Sequence, residues 1–197
     1  MSTGIATEKT RAATAQTRIA GPGVTWQIDP SHTNVEFAVR HLMISKVKGR
    51  FAGVSGTIVE GVEPGAVKVD VTIDASTIDT RDAKRDAHLT TADFLDVAKY
   101  PTIAFAGRRA EPVGDGRYRL LGDLTMRGVT REVTLDVTAE GRAQDPWGNE
   151  RTGYSAKTKV SRKDFGLEWN VALEAGGVLV GDEVEILIEA QGIRQSN

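Results

Sequence analysis

The sequence predicts an all-β fold, an extended antiparallel eight-stranded barrel with one short helical excursion. Three observations carry this expectation. Ala66 to Asp74 sets Val67, Val69, Val71 and Ile73 against Lys68, Asp70, Thr72 and Asp74, a period of two that turns one row of side chains inward and the other to water. Glycine supplies 21 of 197 residues, above the ordinary share of about 7%, and many of these glycines separate short alternating runs. One segment, Thr80 to Val97, breaks the rhythm with Ala83, Lys84, Arg85, Ala87 and Leu89, residues suited to helix.

The elements follow in order. Met1 to Gly23 is rich in Thr, Ala and charge and lacks the apolar run of a signal peptide or spanning helix, so residues 1–23 read as a flexible tail and 24–197 as the barrel domain. Val24 to Ile28 is the first strand. Asn34 to Leu42 alternates Val35, Phe37 and Val39 against Glu36, Ala38 and Arg40. From Lys46 to Glu60 the apolar parity changes, with Val47 and Phe51 on one phase and Val54 and Ile58 on the other, which calls for a bend near Gly53. Glu63-Pro64-Gly65 makes a turn into the Ala66 strand. Thr90 and Asp93 have the spacing of a second, short capped turn. Pro101 ends the excursion, and extended structure resumes at Ile103 and Phe105. Tyr118–Met126, Glu132–Arg142 and Tyr154–Val160 follow at hairpin spacing, after Gly114-Asp115-Gly116, Gly128 and the Asp145–Asn149 turn. Gly176-Gly177 leads to the last strand, where Val184, Ile186 and Ile188 alternate.

Closure is favoured over a sandwich because runs of ten residues or more, at about 3.3 Å each, span over 30 Å. An eight-stranded barrel is either filled by side chains or holds one slim ligand. Small residues at inward parity, Gly49, Gly122 and Ala156, favour the hollow version.

Composition removes several functions. Lys plus Arg number 25 against 27 Asp plus Glu, and the formal charge of -2 gives no field for nucleic acid. There is no cysteine, hence no disulfide, thiolate nucleophile or sulfur-ligated metal. His32, His41 and His88 are the only histidines and lack metal-helix spacing. No nucleophile elbow, Walker sequence or dinucleotide fingerprint is present. The sequence therefore nominates no catalytic residue, metal or cofactor, and the expected protein is cytoplasmic, without stable membrane insertion, as a monomer or homodimer.

A set of motifs carries a family likeness: Ile28-Asp29-Pro30-Ser31-His32, Val39-Arg40-His41, Ile78-Asp79-Thr80, Arg85-Asp86-Ala87-His88-Leu89, Ala92-Asp93-Phe94 and Lys99-Tyr100-Pro101-Thr102-Ile103. Later come Gly122-Asp123-Leu124-Thr125, Gly128-Val129-Thr130, Lys163-Asp164-Phe165-Gly166 and Val180-Gly181-Asp182-Glu183-Val184. In this order, from Val24 to Ile193, they resemble the YceI-like family of polyisoprenoid-binding proteins. The resemblance implies a lipocalin-like barrel that stores, shields or transports an isoprenoid or similar long-chain lipid, such as a quinone tail, a polyprenyl alcohol or a polyprenyl phosphate, and no enzymatic activity. Some members carry a secretion signal, which the tail does not show, so a periplasmic role does not carry over.

A hydrophobic channel needs apolar inward residues, since an unsatisfied polar group facing hydrocarbon costs roughly 1–3 kcal/mol. Phe37, Val39, Phe51, Val71, Ile73, Ile103, Phe105, Leu124 and Met126 meet that demand, although parity alone serves a filled core equally well. Phe94, His88 and Trp169 join them as ligand-lining candidates, with Trp169 lining or plugging one end. His41 shares the parity of Val39, either as a ligand contact or as a buried histidine bonded to backbone. Arg40, Arg81 and Arg85 are head-group candidates, against the commoner arrangement in which Arg85 and Asp86 form a structural clamp and His88 caps a turn. Two other readings stay open: a solid-core interaction protein without ligand, and an enzyme for a small apolar substrate, which would need His41 facing a buried carboxylate.

Overall fold

The computed structural model describes residues 23–63, 65–174 and 177–196. The tail before Gly23, Pro64 of the expected turn and Gly176 lie outside the described residues. Alternating segments become strands: β1 (Val24–Ile28), β2 (Asn34–His41), β3 (Ser45–Phe51), β4 (Val54–Glu60), β5 (Val67–Asp74), β6 (Ile78–Asp79), β7 (Thr102–Gly114), β8 (Arg117–Met126), β9 (Val129–Gln144), β10 (Glu150–Ser161) and β11 (Val180–Arg194). Eight of them close a ring in the order β1-β4-β5-β7-β8-β9-β10-β11, with β11 returning to β1. Every pairing is antiparallel.

Two expected strands differ from the sequence reading. Lys46 to Glu60 splits into β3 and β4 at Ala52-Gly53, as the parity change requires. The Asn34 strand stops at His41, with Leu42 in the turn. Strands β7 and β9 run longer than their apolar cores because tight turns at Asp115-Gly116 and Arg127-Gly128, with φ of 46° and 71° and of 51° and 73°, let the ladder continue to the hairpin tip.

The helix is shorter than its composition suggests. α1 covers Ala83–Leu89 only, capped by Asp82, whose carboxylate accepts the Lys84 and Arg85 amides. The second capped turn does not form. The Thr90 hydroxyl donates back to the Ala87 carbonyl at 2.8 Å, and Asp93 is engaged by His88 instead.

Strand β11 divides its edge. Glu189 to Val184 pair with β2, while Gly192 to Arg194 pair with β1. A short 3-10 turn, Pro30–His32, separates β1 from β2 at this fork. Asp29 sits there with its side chain 9% exposed. It accepts the Ser31 amide at 3.0 Å and hydroxyl at 2.6 Å, bonds His32 Nδ1 at 2.8 Å and takes Arg151 at 2.6 Å, while its own amide donates to the Gln191 carbonyl. Arg151 also binds Asp145 at 2.8 Å, which ties in the β9–β10 turn. The Ser31 hydroxyl, with Arg151 next, holds the Asp29 carboxyl well below the usual carboxylate range, against the effect of burial. Arg151 and then Asn149 do the same for Asp145.

Two inward glycines shape the lumen. A Cβ at Gly49 would meet Phe37 Cζ at 2.4 Å, and one at Gly122 would meet Phe105 Cζ at 2.5 Å. The ring tips sit over the glycines, in the space a Cβ would take. Small residues at these positions therefore let aromatic rings cover the wall without filling the centre.

Asp29→Asn keeps the shape of the fork and removes its charge. Thermal unfolding at neutral pH should show Tm lower by about 5 °C or more. Because the folded carboxyl titrates below its unfolded value near 3.9, its contribution is complete above about pH 4 and fades as pH falls below that. The difference in Tm between the two proteins should therefore narrow between neutral pH and about pH 3, and an undiminished difference in acid would refute the assignment.

Candidate functional site

The barrel encloses a cavity of about 640 Å³, within the range of pockets that hold small-molecule ligands. Its wall combines inward side chains of the ring strands with those of β2 and β3, so that alternation on separate strands becomes one continuous apolar surface. Of the candidates read from sequence, Phe37, Val39, Phe51, Val71, Ile73, Phe94, Ile103, Phe105, Leu124 and Met126 line it. The filled-core alternative does not describe this interior. The remaining wall includes residues that sequence reasoning passed over, among them Leu120 of β8 and Val133, Leu135 and Val137 of β9. Their own alternation was the available signal.

At one end the barrel is covered by α1 and the segments around Phe94 and Phe165. Ala75, Ile78, Phe94, Leu95, Phe165 and Leu167 pack together there, Phe165 being 1% exposed. Arg162 reaches the wall from this plug. It is 3% exposed, and its guanidinium donates to the carbonyls of Gly181 and Trp169, both at 2.9 Å, and of Leu167. Burial lowers its pKa, and backbone acceptors satisfy the charge. Nothing in the sequence marked Arg162, because its acceptors are backbone carbonyls, at Leu167 and Trp169 nearby and at Gly181 of β11.

Polar atoms along the wall are largely engaged. The Thr158 hydroxyl donates to the Thr134 carbonyl at 2.8 Å, Thr33 Oγ1 accepts the Gln191 amide at 3.3 Å, and Glu36 accepts from Asn34 at 2.7 Å. The opposite end is different. Glu60 accepts both the Tyr154 hydroxyl and the Arg142 guanidinium, and Arg142 also lies 4.9 Å above the Trp26 ring. Burial first, and the Glu60 carboxylate second, push the Tyr154 phenol up to about 12. Val62, 71% exposed, shares this part of the wall, so the cavity meets solvent here. Residues 60, 142 and 154 converge only through the barrel's register, which is why no motif announced them.

Three lining candidates do not reach the wall. His41 is at the β2 edge, and its carbonyl accepts the Ile44 amide at 3.2 Å, but it is half-exposed and faces no carboxylate partner among the described residues. His88 Nε2 bonds Asp93 at 2.8 Å and its ring meets Phe94 and Trp169 edge-on, at 5.1 and 4.9 Å. Trp169 packs against the plug from outside the lumen, closer to a plug than to a lining residue. The arginine candidates are also elsewhere. Arg40 points from the outward row of β2 and Arg81 is exposed at a turn, its amide bonded to Asp79. Arg85 donates to the hydroxyl and carbonyl of Thr80 at 2.7 and 2.8 Å, while Asp86 accepts from the same Thr80. This is a clamp built on Thr80 rather than an Arg85–Asp86 pair.

Serine, histidine and aspartate do meet at Asp29, Ser31 and His32, but both partners reach the same ring nitrogen, Nδ1. A proton relay needs opposite nitrogens, so this cluster is a cap. Among the described residues, no group of three or more His, Asp or Glu side chains is placed to hold a metal, and no helix is long and apolar enough to cross a membrane.

Comparison with known proteins agrees with the fold. The YceI-like domain model matches residues 26–192. The chain is 39% identical over 165 residues to Protein YceI of Escherichia coli O157:H7, covering 83% of each. The crystal structure of the Campylobacter jejuni YCEI protein superposes with a TM-score of 0.64 at 30% identity, over 80% of this chain and 90% of that one. A polyisoprenoid binding domain from Saccharophagus degradans, implicated in plant cell wall breakdown, shares the fold with a TM-score of 0.66 at 13% identity, over 86% of this chain and 98% of that one. A match across most of the barrel places this chain in the YceI-like domain family.

Proposed function

We propose that the barrel holds a single long isoprenoid chain in its lumen, for storage, shielding or transport, and performs no chemistry on it. The observation that carries this reading is the continuous apolar cavity running from the plug to the Glu60 end. Each CH2 transferred from water to such a wall contributes about 0.8 kcal/mol, so several isoprene units supply micromolar or tighter affinity after the ordering cost. A wall whose polar atoms are bonded within the protein imposes little desolvation penalty on a hydrocarbon guest. The polyisoprenoid-binding description of the Saccharophagus degradans domain supports the same class of ligand.

The head group belongs at the Glu60–Tyr154–Arg142 end. There the Arg142 charge is balanced by Glu60, and Glu63 also shares this part of the wall. At the plug, the Arg162 guanidinium is bonded to backbone carbonyls. A phosphate would meet no uncompensated cation at either place, whereas a hydroxyl or a quinone carbonyl can exchange hydrogen bonds with Tyr154 and Arg142. An uncharged head, as in a polyprenol or quinone, suits this end better than a phosphate.

Native mass spectrometry of freshly purified protein, followed by organic extraction, should reveal a bound species with isoprenoid mass spacing. Apo protein that also refuses long-chain quinones and polyprenols would overturn the proposal in favour of an interaction protein without ligand. Ala156→Trp places an indole in the lumen, between Val137 and Ile188 of the flanking strands. Lipid recovered per mole of folded protein should fall by about tenfold or more, and unchanged recovery would show that the ligand sits elsewhere.

A further inference from the structure

The β2–β3 turn breaks the rules of turn chemistry. Leu42 and Met43 occupy its two central positions with φ of 51° and 60°, and the Ile44 amide closes it on the His41 carbonyl. Positive φ at both positions is what Asn-Gly supplies at little steric cost, and what bulky L residues adopt only under strain. Here the positions carry large apolar side chains, followed by a third. Met43 is 53% exposed and Ile44 81%. The Leu42 amide bonds the Leu179 carbonyl, and Leu179 in turn bonds Val171, so exposed Val171 and Val178 extend the patch. Local rules broken in the open, without a packing gain in the folded chain, mark a surface with another use.

Charge says what that use is. No acidic residue occurs between Glu36 and Glu60, in a chain whose formal charge is -2. The stretch carries Arg40, Lys46, Lys48 and Arg50, with Arg40 opposite Lys46 and Lys48 opposite Ala38 on the outward row. Lys46 is paired with Glu185 and Arg50 with Asp79, while Arg40 and Lys48 make no ion pair among the described residues. Glu183 and Glu185 of the neighbouring strand are engaged by Lys159 and Lys46. An apolar tip above a basic shaft matches the layering of an anionic bilayer, acyl chains beneath charged head groups. A convex tip with few apolar side chains falls short of the roughly 800 Å² per partner that a stable protein interface buries.

We infer that the β2–β3 hairpin docks the protein on anionic lipid bilayers, with Leu42, Met43 and Ile44 entering the interface and Arg40 and Lys48 facing the head groups. This surface stands on the hairpin alone and does not depend on the occupant of the lumen.

The test is flotation of the full chain with vesicles of phosphatidylglycerol mixed with phosphatidylcholine, and with phosphatidylcholine alone. The protein should rise with the anionic vesicles and partition to them about tenfold or more better than to the neutral ones, an advantage that salt reduces. Met43→Asp with Ile44→Asp should abolish flotation, and Arg40→Gln with Lys48→Gln should remove the preference for anionic lipid. Protein that stays at the bottom of the gradient, or variants that float like the parent, would overturn the inference. So would sedimentation showing a dimer that the aspartate variant dissolves, which would assign the tip to a second copy. Because the chain has no cysteine, Ile44→Cys carrying an environment-sensitive dye gives an independent readout that needs no disruptive charge. Its emission should shift to the blue on anionic vesicles, and an unshifted spectrum would equally reject docking.

Discussion

The structure depends on closure between the first strand and the last. A barrel has no free edge only if β1 and β11 meet, and here β11 must serve β2 along one part of its edge and β1 along another. The change of partner leaves backbone groups at the fork without regular ladder partners, and Asp29 supplies them. Its carboxylate bonds the Ser31 amide and takes Arg151, while its own amide reaches Gln191 of β11. One residue thereby coordinates the 3-10 turn and β10 through its carboxylate and β11 through its amide. Arg151 extends the knot to Asp145 and the β9–β10 turn. Such a group is compatible with burial because each lone pair has a donor and the charge has a counterion.

Closure alone would produce a packed core, so the hollow interior needs its own cause. Part of that cause is the pairing of aromatic rings with glycines. Phe37 faces Gly49 across β2 and β3, and the Phe105 ring lies over Gly122. A ring seated over a glycine buries apolar area against the sheet and comes closer to the wall than a larger neighbour would allow. Tight packing is displaced to the plug around Phe165 and to the fork cluster of Ile28, Val35 and Val54. Stability is thus drawn from the ends and the wall, where apolar area is buried without occupying the middle.

Strand parity was legible because it is a local property. Val67 to Ile73 declared their face within a few residues, and the bend at Gly53 followed from a change of phase inside one segment. What could not be read locally was convergence. Glu60, Arg142 and Tyr154 belong to β4, β9 and β10, and their meeting depends on ring order and register. Arg162 is a buried cation whose acceptors are backbone carbonyls of the 167–169 loop and of β11. Conversely, Arg81 and Arg85 cluster in sequence near His88, yet the helix cap and Thr80 turn them to structural duty. The string Asp29-Ser31-His32 was visible as a motif, but its role required knowing that β11 changes partner beside it.

The placement of charge separates the inside of the molecule from its outside. Within the lumen every arginine is answered, Arg162 by carbonyls and Arg142 by Glu60, so the interior discriminates by shape and apolar area rather than by attraction to a charged guest. Along the β2–β3 hairpin the balance is reversed, with Arg40 and Lys48 left to face the surroundings beneath an apolar tip. Uncompensated charge acts over a Debye length, about 8 Å at physiological ionic strength, while burial acts only on contact. On the proposed reading, long-range attraction finds a surface and short-range apolar contact holds a guest, and the two tasks do not compete for the same residues.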